Sequence, residues 1–129
     1  MLNYGIMNMT RGGMKINQRD IILIPFPYTD LSQNKKRPAI ILSNNEHNSK
    51  NQDLICCAIT SNPREYANSI KFSDNDLDYG NLPFESRVKP NKIFTLNKNL
   101  IIKVLARLNI NKSKEIINSL NIFIKIDEQ

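Results

Sequence analysis

After Met14 the apolar runs along this chain are short, rich in Ile and Val, and broken by Asn, Asp, Pro and Ser. That punctuation belongs to a mainly β domain. Ile21 to Pro25 reads as a first strand. Pro38 to Ser43 reads as a second, its leading Pro removing no interior ladder hydrogen bond. Leu54 to Thr60 is almost continuously apolar and is expected to be central. Asn68 to Phe72 forms a short fourth strand, and Arg87 to Leu96 and Leu100 to Leu108 follow, with Asn97-Lys98-Asn99 turning between them. The connections are polar: Phe26 to Arg37 is long enough to suspect a functional loop, Ser61-Asn62-Pro63 is a turn, and Ser73 to Pro83 is an Asp-rich loop. Asn111 to Ile124 differs, placing Ile116, Ile117, Leu120 and Phe123 or Ile124 on one stripe at helical spacing. The crossover helices of a parallel sheet are missing. The pattern therefore predicts a mainly β, α+β fold: a small, partly open antiparallel barrel of five to seven strands with a C-terminal amphipathic helix.

Residues 1–13 carry Met1, Met7 and Met9, then Arg11-Gly12-Gly13, without clear periodicity. They read as a disordered leader or an extended start, with Met14 the natural beginning of a single domain over 14–129. The 129 residues carry 18 Lys plus Arg against 12 Asp plus Glu, a net charge of +6 that favours a polyanionic partner. The excess is concentrated. Arg87, Lys89, Lys92, Lys98, Lys103, Arg107, Lys112 and Lys114 fall in a stretch with no acidic residue. Cys56 and Cys57 are adjacent, so on a strand they point to opposite faces and make a poor disulfide. A reducing cytoplasm suits such a chain. No apolar run approaches the roughly 20 residues that span a bilayer, and no secretory signal opens the sequence, so no membrane association is expected.

His47, the sole histidine, sits in a polar stretch with nothing nearby to orient it and rules out multi-histidine metal sites. Asp74 to Glu85 approaches the spacing of a calcium loop, but its Gly80 falls one position late and Pro83 interrupts it, so a polar hairpin connection is the better account. Neither cysteine has a basic neighbour in sequence to lower a thiol pKa. No metal and no cofactor is expected. Phe26 and Tyr28 read as packing rather than as base-stacking groups.

Specific patterns begin at Asp20-Ile-Ile-Leu-Ile-Pro-Phe-Pro-Tyr-Thr-Asp-Leu, followed by Lys35-Lys36-Arg37-Pro38-Ala-Ile-Ile-Leu-Ser43. They continue with Ala58-Ile-Thr60-Ser61-Asn62, then Ser86-Arg87-Val-Lys89-Pro-Asn91-Lys-Ile-Phe-Thr-Leu-Asn97, and Arg107-Leu108. In order and spacing these segments resemble the MazF/PemK toxins over about residues 16 to 125. The resemblance implies an SH3-like barrel, a homodimer, and an endoribonuclease that cuts single-stranded RNA at short motifs. It also implies a cognate acidic antitoxin, with operator DNA bound only together with that antitoxin. The related CcdB toxins share the barrel but poison DNA gyrase, and a non-catalytic nucleic-acid-binding barrel is a further alternative.

The resemblance assigns catalysis to Arg37 and Thr60. The chemistry agrees. Attack by a ribose 2′-hydroxyl on the adjacent phosphate builds negative charge that a planar guanidinium suits, and Pro38 biases Arg37 towards extended backbone. Thr60 can hydrogen-bond a phosphate oxygen but is no base at neutral pH. Lys89 and Asn91 stand where one branch of the family carries a basic residue and a carboxylate for proton transfer or phosphate contact; Asn91 cannot accept a proton as a carboxylate would. Lys35, Lys36, Ser61, Asn62, Ser86 and Arg87 are the candidates for RNA contact. Arg19 and Ala106 depart from the family pattern at positions usually held by Gly, which touches turn geometry rather than chemistry.

Overall fold

The structure is a computed structural model that describes residues 10, 12–26, 35–82 and 84–129. Its strands are β1 (Asp20–Phe26), β2 (Lys35–Ile41), β3 (Asp53–Thr60), β4 (Ile70–Phe72), β5 (Leu77–Gly80), β6 (Ser86–Asn97) and β7 (Lys103–Leu108); its helices are α1 (Asn45–Lys50) and α2 (Ile110–Phe123). All pairings are antiparallel, in the order β4-β6-β3-β2-β1-β7-β5. The expected partly open barrel is the observed one: a single curled sheet whose edges, β4 and β5, are different strands and do not pair with each other.

Strict alternation along β1, β2 and β3 sorts side chains into two cores. One gathers Ile16, Ile22, Ile24, Ala39, Ile41, Leu54, Cys56, Leu96 and Ile101. The other gathers Ile21, Ile40, Cys57, Ile59, Val88, Leu108 and the helix residue Ile116. The two cysteines thus lie on opposite faces as free, buried thiols, and burial pushes both up to about 12. Helix α2 covers the second core through Ile116, whereas Phe123 and Ile124, one of them expected on the same stripe, are 46% and 63% exposed at and just past its C-terminal end.

Three sequence expectations change. Lys35, Lys36 and Arg37 lie on β2 rather than in the preceding loop, paired with Phe26, Pro25 and Ile24. The Asp-rich loop contains a short turn, Asp74–Asp76, and then the edge strand β5. The polar stretch around His47 is α1, capped by Asn44, whose side chain accepts from the His47 N–H. The leader falls mostly outside the described residues, as does 27–34 with Tyr28. Of the leader, Thr10 accepts a hydrogen bond from Met14 N–H at 3.1 Å, and Gly13 N–H donates to the Thr10 carbonyl.

The two departures from the family pattern have structural answers. Arg19 adopts φ +77°, the left-handed backbone glycine takes most easily, and its guanidinium donates to Asp78 at 2.8 Å and to the Leu108 carbonyl at 2.7 Å. Ala106, fully buried, pairs with Gly80, where a Cβ would stand 2.7 Å from the Ala106 Cβ. The methyl added on β7 is matched by its absence on β5. Beside them the wholly buried Asp20 accepts from Asn17 N–H and Arg107 Nε, each at 2.8 Å, which ties β1 to β7. Burial raises its carboxyl, and the bonds from Arg107, Asn17 and Tyr79 pull it back only in part.

Candidate functional site

The register of the sheet assembles the site. Ala39 pairs with Ala58; two residues back along β2 stands Arg37, and two residues forward along β3 stands Thr60. Thr60 itself pairs with Arg87 on β6, and Arg87 pairs with Lys71 on β4. Directly opposed residues share a face, so Thr60 lies at one end of the sheet with Arg87 beside it and Arg37 at the same level on its other side. This face carries the first core, away from α2. Arg37 is exposed and Thr60 is 5% exposed.

The Thr60 hydroxyl is fixed by the turn on its C-terminal side. Asn62 caps a short 3-10 turn, Pro63–Glu65, accepting from Arg64 N–H, with Pro at the first helical position. The turn folds the chain back so that the hydroxyl accepts from Asn62 N–H at 3.0 Å and donates to Glu65 Oε2 at 2.6 Å. The other oxygen of Glu65 receives Lys92 Nζ at 3.2 Å. These bonds, that from Thr60 foremost and that from Lys92 next, hold the Glu65 carboxyl below its ordinary value.

Lys92 reaches Glu65 because β6 is interrupted. Cys57 pairs with Ile93 but the next residue, Ala58, pairs with Lys89, leaving Pro90, Asn91 and Lys92 as an irregularity that projects from the ladder. A Pro lacks the N–H that a central strand position would use. Lys89 is 6% exposed, and its ammonium donates to the carbonyls of Glu65 at 2.6 Å and Ala67 at 2.8 Å. It pins the turn beneath Thr60. Asn91 is exposed on the bulge. The Arg87 guanidinium lies 4.3 Å above the Tyr66 ring, and its buried Nε has no hydrogen-bond partner among the described residues.

The remaining candidates divide. Lys35 and Lys36 are exposed on β2 just before Arg37, with Lys35 on the same face as Arg37. Ser61 and Asn62 are exposed beside Thr60; the Ser61 carbonyl accepts from Tyr66 Oη, and Asn62 is committed to its cap. Ser86 is not brought to the site. It shares the Val88 face, is 5% exposed, and donates to the Phe84 carbonyl. His47 contacts the Asp53 carbonyl at the far end of β3. The basic stretch is only partly a positive surface: Lys89 and Lys98 are buried, and Arg107 and Lys112 are paired with Asp20 and Glu115. Among the described residues no three His, Cys, Asp or Glu converge as metal ligands, and no helix is long and apolar enough to cross a membrane.

Sequence reasoning missed Glu65 and Lys92. A signal for the first was present: Asn62-Pro63-Arg64-Glu65 has the spacing of a capped helical start, which returns the fourth residue over the first.

The profile of the PemK-like, MazF-like toxins of type II toxin-antitoxin systems matches residues 17–124. The chain belongs to this family. No curated protein matches it significantly. Among solved structures, a mycobacterial endoribonuclease in complex with its cognate antitoxin aligns with a TM-score of 0.69 at 18% identity, covering 88% of this chain and 99% of that one. A MazE–MazF complex from Deinococcus radiodurans gives 0.69 at 16%, covering 87% and 98%. The Mycobacterium tuberculosis toxin MazF-mt6 gives 0.65 at 16%, covering 84% and 99%. At these identities the likeness is one of fold, and it is the MazF fold.

Proposed function

We propose that this MazF/PemK-family toxin is an endoribonuclease that cuts single-stranded RNA at short sequence motifs without a metal. The ribose 2′-hydroxyl attacks the adjacent phosphate. Arg37 supplies a planar pair of donors for the charge that builds on the phosphoryl oxygens, and Thr60 hydrogen-bonds one of those oxygens to set its position. Arg87, held by the Tyr66 ring and by its bond to Ser69 Oγ at 3.4 Å, adds a second guanidinium on the opposite side of Thr60. Lys35 and Lys36 draw the flanking backbone along β2. Lys89 acts from beneath, by holding the turn that carries Glu65.

The observation that carries this reading is the level at which Arg37, Thr60 and Arg87 stand on three neighbouring strands. Two cations flanking a fixed hydroxyl make a site for one phosphodiester. One solved neighbour is described as an endoribonuclease in complex with its cognate antitoxin, which supports an antitoxin as the partner; in this reading the antitoxin is acidic, the toxin forms a homodimer, and operator DNA is bound only in the antitoxin's company. A cytoplasmic location follows from an RNA substrate.

The test is cleavage of a long single-stranded RNA by purified protein in excess EDTA. The reading expects discrete cuts from the wild type and at least a hundredfold slower cutting by Arg37→Ala at an unchanged melting temperature. Trapped gyrase on DNA with intact RNA would instead favour the CcdB-like alternative. Salt-sensitive RNA binding without cutting would favour a non-catalytic barrel. Normal cutting by Arg37→Ala would remove that residue from the mechanism.

A further inference from the structure

The nuclease reading leaves the proton on the attacking 2′-hydroxyl without a destination. Asn91 cannot take it, Lys89 is an ammonium already donating to two carbonyls, and His47 lies at the other end of β3. That strand is about 23 Å long. The carboxylate in contact with Thr60 is Glu65.

Resting on the nuclease reading, we propose that Glu65 is the acceptor of the 2′-hydroxyl proton, and that it is released for this role when the scissile phosphate takes the Thr60 hydroxyl from it. A hydroxyl has one proton to donate. In the free protein that proton goes to Glu65 Oε2 at 2.6 Å, so Thr60 cannot serve a phosphate oxygen until the bond to Glu65 breaks. Breaking it leaves a lone pair of Oε2 free beside the hydroxyl that the phosphate has taken, within reach of groups attached to that phosphate. Lys92 still grips Oε1 at 3.2 Å, so the carboxylate stays in place after Thr60 turns away. The turn cannot drift either, because Lys89 holds its Glu65 and Ala67 carbonyls.

The step balances. The O2′–H bond breaks as its proton passes to Glu65, and the O2′–P bond forms. The P–O5′ bond breaks with its electron pair on O5′, which takes a proton from solvent water, and Glu65 returns its own proton to the hydroxide so formed. The products are a 2′,3′-cyclic phosphate and a 5′-hydroxyl.

The electrostatics follow the same sequence. The charged groups facing Glu65 among the described residues are Lys92 and Lys89 of β6, and the Thr60 bond is the largest influence keeping its carboxyl below the ordinary range. A low free value keeps Glu65 ionised before RNA arrives. Loss of the Thr60 bond then raises its proton affinity when a base is needed. The acid limb of kcat/KM, which reports the free protein, therefore lies at lower pH than the acid limb of kcat.

The experiment is steady-state cleavage of one defined RNA in EDTA from about pH 4 to 9, with wild type, Glu65→Gln and Glu65→Asp. Expected for Glu65→Gln is a kcat lower by about a hundredfold or more, a KM within threefold, and no acid limb. Glu65→Asp keeps the limb at an intermediate kcat. Glu65→Gln cutting within threefold of wild type, or retaining the acid limb, would overturn the assignment while leaving the nuclease reading intact. Wild-type protein that leaves the RNA whole would overturn both.

Discussion

Replacing Asp20 by Ala tests whether the start of β1 depends on a buried ion pair. The carboxylate is wholly buried and accepts from Asn17 N–H and Arg107 Nε, each at 2.8 Å, with Tyr79 Oη at 3.5 Å. Without it the Asn17 N–H loses its partner in a part-buried setting, which costs roughly 1–3 kcal/mol. Arg107 loses its counter-charge, but its side chain is 26% exposed and stacked 4.9 Å from the Tyr79 ring, so water relieves part of that loss. The sum is about 3 kcal/mol, which for a chain of this size lowers the melting temperature by roughly 10 °C. Thermal unfolding followed by circular dichroism, at one protein concentration for both proteins, reads the shift. Asp20→Asn keeps one acceptor and the shape, and is expected to lose about half as much. A shift under 3 °C for the Ala variant would refute the argument that this pair holds β1 to β7.

Gly80→Ala meets two penalties at once, φ of +84° and a Cβ 2.4 Å from the Leu105 carbonyl oxygen; about 3 kcal/mol of destabilisation is expected, read by urea unfolding. Cys56 and Cys57, buried with thiols pushed up to about 12, have a thiolate fraction near ~10⁻⁴ at pH 8. Folded protein is therefore expected to resist iodoacetamide for an hour and to take two adducts in urea, by intact mass.

The strands and α2 were legible because their alternation and helical spacing are carried by Ile, Val and Leu. What escaped was carried by Asn. Asn44, Asn62, Asn97 and Asn109 read as loop punctuation, yet each caps a helical turn with its side chain. Helix α1 left no hydrophobic period, since its one buried residue is Asn48, held to the Ser43 carbonyl at 2.8 Å. Edge strand β5 escaped because Leu77 alone of its residues packs on the core. Arg37 and Thr60 were found by resemblance, and the register explains why those positions stand level. Glu65 and Lys92 needed three dimensions: one arrives through a capped turn, the other through the bulge at Pro90.

The chemistry of the cut ends distinguishes attack by the ribose from attack by water. After cleavage in EDTA, mass spectrometry of the RNA fragments is expected to find 2′,3′-cyclic phosphate on the upstream piece and a free 5′-hydroxyl on the downstream piece. Fragments ending in 3′-hydroxyl and 5′-phosphate would mean that water, rather than the ribose, attacked, and the account of Arg37, Thr60 and Glu65 would be wrong.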